Sequence, residues 1–165
     1  MKFNSIKEYF YKLYNVCYFV TLIPLGVYIY LYLEMQSGAL VSPIQDADQL
    51  LIIQIAFIIF IVLTLTSVHW LVRKKLSSIL GVVSLGDRMD GYYTIAIFRI
   101  GMGVAACLMT AAGFYFTTSE LFSITFLAVL VWMSFQWPTP RRLCVDLKLK
   151  GDEKDLILYK RDQLN

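Results

Sequence analysis

LLIIQIAFIIFIVLTLTSVHWLV, residues 50–72, contains no formal charge. A helix needs about 20 mostly apolar residues to cross about 30 Å of hydrocarbon, so this stretch reads as a membrane span. Three more stretches qualify, at about 15–34, 94–116 and 121–137. The last is the shortest and should stand nearly upright. None shows the polar-in, apolar-out alternation of barrel strands, which excludes a membrane β-barrel. The composition agrees: of 165 residues 58% are hydrophobic and only 16% charged, with a mean hydropathy of +0.63. Soluble domains are closer to a quarter charged, so a disordered chain and an ordinary soluble enzyme are both excluded.

The segments between the spans are each too short to bury a core alone. The expected fold is therefore an all-α membrane protein, a four-transmembrane-helix bundle forming a single domain over 1–165 with a short tail at 138–165. Lys2, Lys7 and Lys12 precede an apolar run too long for a signal peptide, so the first span is expected to be retained. Orientation follows from Lys and Arg in the flanks. The N-terminal segment carries those three lysines, the middle loop Arg73, Lys74, Lys75 and Arg88, and the tail Arg141, Arg142, Lys148, Lys150, Lys154, Lys160 and Arg161. The first loop and the 117–120 turn carry only Glu34, Asp46, Asp48 and Glu120. Both termini are thus expected on the cytoplasmic side. Tyr9, Tyr11, Tyr14, Trp70, Tyr92, Tyr93 and Trp137 fall at the inner interface and Tyr28, Tyr30, Tyr32 and Tyr115 at the outer one, as an aromatic belt would. The net charge of +3 does not point to nucleic acid, because eight of the twelve acids share the basic side.

Arg99 is the one cation inside a span. A charge at that depth is costly and is a functional-site hypothesis by default, although a long stem can also snorkel to the headgroups. With Glu34 at the outer end of the first span and no Asp or Glu within any hydrocarbon segment, an internal ion pair is expected from Asp87 or Asp90. His69, the sole histidine, lies at the inner end of the second span, and antiparallel packing brings it to the depth of Arg99. Arg99, His69, Asp87, Asp90, Tyr92 and Tyr93 therefore form the candidate site for a ligand or partner; a satisfied interfacial histidine is the simpler reading of His69. No catalytic residue and no metal or cofactor ligand set is identified. One histidine cannot hold a bis-histidine haem, and neither H-E-x-x-H nor a phosphate loop occurs. No span carries the carboxylate that a small proton-coupled transporter uses.

Helix packing is expected from Gly101/Ala105 and Cys107/Ala111, small residues four apart in the third span, preferably within the bundle. Pro24 should kink the first span. Cys17, Cys107 and Cys144 read as reduced thiols. In the tail, Thr139 can cap a short helix with Pro140 at its first position, placing Leu143 and Leu147 on one face. A hairpin through Gly151-Asp152 is the alternative. Leu143, Leu147, Leu156 and Tyr159 need an apolar cover and are expected to bind a partner.

Ile97-Phe98-Arg99, the turn Thr117-Thr118-Ser119, Pro138-Thr139, Arg142-Leu143 and Asp146-Leu147 together resemble a family of small four-helix integral membrane proteins of Bacteroidetes bacteria. The resemblance covers about the last 75 residues. It implies a four-helix fold in a bacterial inner membrane and carries no activity with it. That family often has a Glu shortly after the arginine, whereas 102–105 here contain no acid. The expected function is a non-catalytic accessory or scaffold subunit of a larger inner-membrane complex, whose partners are the lipid bilayer and other membrane-protein subunits or further copies of itself. The alternative is a small transporter, channel or immunity-type protein with an anion or quinone site near Arg99 and His69. An enzyme is the third reading.

Overall fold

Ser5 opens the first helix: its Oγ accepts the Glu8 N–H at 3.1 Å, satisfying a donor that has no partner within the helix. The computed structural model describes residues 5–44 and 46–159, and among these every regular element is helical. Lys2, Lys160 and Arg161 of the charge count lie outside the described residues. The helices are α1 (Ile6–Gln36), α2 (Ala47–Ile79), α3 (Leu85–Thr117), α4 (Glu120–Phe135), α5 (Pro140–Asp146) and α6 (Gly151–Leu158). Three of them are long and apolar enough to cross a membrane, and α4 with α5 makes a bent fourth candidate.

The three long helices overrun their apolar stretches. The middle loop, expected over about 73–93, contracts to 80–84, because Arg73, Lys74 and Lys75 continue α2 and 85–93 already belong to α3. Lys and Arg are good helix formers, and nothing obliges a helix to stop where the hydrocarbon does. Pro24 leaves α1 unbroken and lies buried.

α3 is the centre of the bundle, with α1, α2 and α4 each packed on it. Ring and hydrogen-bond contacts give the directions. The Tyr9 hydroxyl donates to the Met89 carbonyl at 3.0 Å near the starts of α1 and α3, and Tyr28 meets Phe114 near their far ends. Phe57, early in α2, lies against Phe116 late in α3, while Lys75 stands over the Phe98 ring. Phe122 and Met133 of α4 crowd Gly113 and Gly103 respectively. The four helices therefore alternate up and down, and Lys7, Lys12, Arg73–Lys75, Arg88 and the described cations of the tail collect at one end.

α4 has 16 residues, about 24 Å of helix, against about 50 Å for α3. The chain then bends by 74° into α5, and α5 and α6 fill the corner below α4. Thr139 accepts the Arg142 N–H at 3.2 Å with Pro140 at the first helical position, as expected. The hairpin alternative is overturned: 151–158 is helix. Leu143, Leu147, Leu149 and Ile157 join Ile6, Phe10, Leu13 and Met89 in the hydrophobic cluster that runs through all six helices. This corrects the expectation of a partner-binding tail, since the chain itself covers Leu143 and Leu147; Leu156 packs against the same cluster and Tyr159 alone of the four is exposed. Tyr9, Tyr92 and Tyr28 are likewise core residues rather than belt anchors, whereas Tyr11 and Trp70 stay exposed.

The small-residue face divides. Cys107 and Ala111 are buried, but Gly101 has open space beside it and Ala105 is half-buried, so this pair does not pack within the bundle. The close approaches are made instead by Gly103 and Gly113. A Cβ on Gly113 would lie 2.6 Å from Phe122 Cζ, and one on Gly103 would lie 2.7 Å from Met133 Cγ. α5 ends in a Schellman turn: Leu149 N–H bonds the Cys144 carbonyl at 2.9 Å across Lys148, whose φ of 53° is left-handed.

Gly113→Ala should lower the stability of the detergent-solubilised protein by about 1–3 kcal/mol, since a rigid ring must move. Gly101→Ala should leave it unchanged or slightly raised. Paired thermal melts check the contrast. Lys148→Gly should stabilise by about 1 kcal/mol through relief of the left-handed backbone, read as an upward shift in Tm.

Candidate functional site

Counting back from Thr117, Arg99 lies about 27 Å down α3, level with the foot of α4. It is only 3% exposed. A guanidinium keeps its proton in any protein environment, so the chain must bring a counter-charge to it. That charge is Asp146, the last residue of α5. Arg99 Nη1 and Nη2 both lie 3.2 Å from Asp146 Oδ2. The Tyr92 hydroxyl donates to the same oxygen at 3.1 Å and accepts from Arg99 Nη2 at 3.0 Å, closing a triangle. The 74° bend after α4 is what returns the tail to this level.

The expected pairing with Asp87 or Asp90 is thus corrected. Both lie in the first turns of α3, Asp87 exposed and Asp90 half-buried, and neither is a partner of Arg99. Tyr93 is also apart from the cluster, its ring edge-on to Tyr9. The sequence did contain a signal for Asp146. In a helix capped at Thr139, Leu143, Asp146 and Leu147 share one face, and a carboxylate on the apolar face of a docked helix requires a buried partner.

A second arginine joins from α5. Arg142 donates from Nη2 to Gln136 Oε1 at 2.7 Å and from Nη1 to the Phe135 carbonyl, and its Nε stands 3.7 Å from Asp146 Oδ2. Arg99 Nη1 reaches the same Gln136 oxygen at 3.5 Å. Between α2, α3, α4 and α5 these groups leave a cavity of about 240 Å³. Its polar lining is His69, Arg73, Arg99, Gln136, Arg142 and Asp146, and its apolar lining Val68, Val72, Leu76 and Trp132. His69 and Arg73 are exposed and form the rim. Three guanidiniums therefore face one carboxylate, and the Nε atoms of Arg99 and Arg142 are buried without a hydrogen-bond acceptor. The arrangement suits a negatively charged guest.

Elsewhere, Arg88 grips Glu153 at 2.6 Å and holds α6 against α3. Cys17, Cys107 and Cys144 are buried free thiols, and burial pushes the Cys144 thiol above its ordinary range. Among the described residues, no three His, Cys, Asp or Glu side chains converge on a metal position. No protein-family model, curated protein or solved structure matches this chain.

Asp146→Ala should cost about 3–5 kcal/mol, because it leaves a buried guanidinium uncompensated. In the same variant the tail should loosen from the core, so that Cys144 becomes reactive to maleimide under native conditions. Unfolding curves and mass-spectrometric labelling check both effects.

Proposed function

We propose that this chain is a non-catalytic, multi-pass membrane protein that holds an anionic ligand at its basic end. The observation that carries this reading is the uncompensated charge of the cavity, where Arg73, Arg99 and Arg142 meet only Asp146. Such a lining favours an anion over a neutral quinone, because in a poorly solvated site the excess guanidiniums repel one another until an anion joins them. The membrane is proposed to be a bacterial inner membrane, with both termini and the basic end in the cytoplasm, on the strength of the Lys and Arg distribution and of the family resemblance.

A second reading, the accessory subunit, no longer draws on the tail, since Leu143 and Leu147 are covered by the chain's own core. It draws instead on the outward face of α3, where Gly101 has open space beside it and Ala105 is half-buried. Small residues on a lipid-facing helix admit a partner helix closely. Size analysis after mild extraction separates the two: a purely monomeric protein removes the accessory reading and leaves the anion site standing.

At constant ionic strength, sulfate should stabilise the solubilised protein in a saturable manner, by about 2.7 kcal/mol at a hundredfold excess over its Kd. Arg142→Gln and Arg73→Gln should each weaken that stabilisation, and thermal melts against sulfate concentration give the answer. Melts that do not distinguish sulfate from chloride would remove the anion site. For topology, cysteines introduced by Asp46→Cys and Lys154→Cys should label from opposite sides of sealed vesicles; labelling from the same side overturns the proposed orientation.

A further inference from the structure

The cavity is amphiphilic, and its position along the bundle says what kind of anion fits it. One side is guanidinium; the other is Val68, Val72 and Trp132. It lies at the foot of α4, where the apolar run of that helix ends, which is the depth of lipid phosphates around a span that crosses the hydrocarbon. Above that foot, α4 turns Leu127, Val131 and Phe135 outward, each more than half exposed. A volume of about 240 Å³ admits a headgroup phosphate but not a whole lipid.

We infer that the ligand of this site is the phosphate group of an anionic phospholipid, seated between α2 and α4 with its acyl chains lying along the apolar surface above. This rests on the anion-site reading. Arginine forks match phosphate oxygens in geometry as well as charge, and Arg73 at the exposed rim and Arg142 on the wall bring guanidiniums to the cavity beyond the one that Asp146 answers. A zwitterionic lipid is disfavoured, since its ammonium would enter the neighbourhood of Arg73 and Arg142. A free phosphate has the same oxygens but leaves the apolar half of the cavity unmatched, and it must reach the site through the headgroup layer.

Trp132 lines the cavity and serves as the reporter. The full-length protein carrying Trp70→Phe and Trp137→Phe leaves Trp132 as its sole tryptophan. It is reconstituted in phosphatidylcholine vesicles containing a minor fraction of lipid brominated high on the acyl chain. Brominated phosphatidylglycerol should quench Trp132 as though enriched about fivefold over brominated phosphatidylcholine at equal mole fraction. Arg73→Gln, an exposed position whose substitution leaves the core untouched, should bring that enrichment down toward one. Equal quenching by the two lipids overturns the inference. If sulfate still stabilises the solubilised protein in that case, the anion site stands and only its lipid occupant is lost; if sulfate also fails, both are lost. Retention of full enrichment in Arg73→Gln and Arg142→Gln alike overturns the assignment to this cavity.

Discussion

A guanidinium cannot shed its charge by losing a proton, and Arg99 is withdrawn almost completely from solvent on the central helix of the bundle. The lower half of the structure is arranged around that constraint. The chain must return an acid to Arg99, and it does so with a residue 47 positions later. The return requires α4 to end where Arg99 stands, a sharp bend at Trp137-Pro138, and a capped helix short enough to place Asp146 at its last turn. Tyr92 then shares the oxygen that Arg99 uses, fixing the geometry of the pair. An ion pair at this depth is weak evidence for stability, because desolvation offsets much of the attraction. Its plainer consequence is register: α5 docks in the one place where its carboxylate is answered.

The shortness of α4 has a second effect. Three helices continue past it, and α5, α6 and the link between them add Leu143, Leu147, Leu149 and Ile157 to the core cluster that also holds Ile6, Phe10, Leu13 and Met89. The Schellman turn at Lys148 and the Arg88–Glu153 bridge hold the two short helices in place. What reads in the sequence as a tail is thus the lower half of the fourth helical position, folded back on itself. At the opposite end the fit comes from ring packing, with Tyr28 stacked on Phe126 at 4.0 Å and its hydroxyl donating to Ser123 at 2.8 Å. Between the ends, Gly103 and Gly113 let α4 lie close against α3.

Charge at the basic end is therefore of two kinds. Arg88 and Arg99 are committed to acids of the tail, and they hold the fold. Arg73 and the outer part of Arg142 exceed what Asp146 can neutralise, and they border a space whose other wall is apolar. A surplus of cations beside an apolar wall at the edge of a bilayer meets the chemical needs of an anionic lipid headgroup. The cations expected to set topology thus include those that line this cavity.

The three long apolar helices, the shorter fourth that bends into the tail, and their order are written in the sequence, because hydrophobic length is a local property that survives without knowledge of neighbours. The Thr139-Pro140 cap was legible for the same reason, as was the importance of Arg99, since a charge in an apolar run is conspicuous wherever the chain goes. Its partner was not legible from proximity: Asp87 and Asp90 are near in sequence, but they occupy turns of α3 that Arg99 does not reach, and a helix fixes that separation rigidly. Nor did small-residue spacing tell which face would be covered. Gly101 and Ala105 look outward while Gly103 and Gly113 look inward, a difference of two residues that only the placement of Phe122 and Met133 resolves. Pairing between distant residues and the facing of a helix depend on how whole elements pack, and packing is decided by the three-dimensional fit of side chains that no single stretch contains.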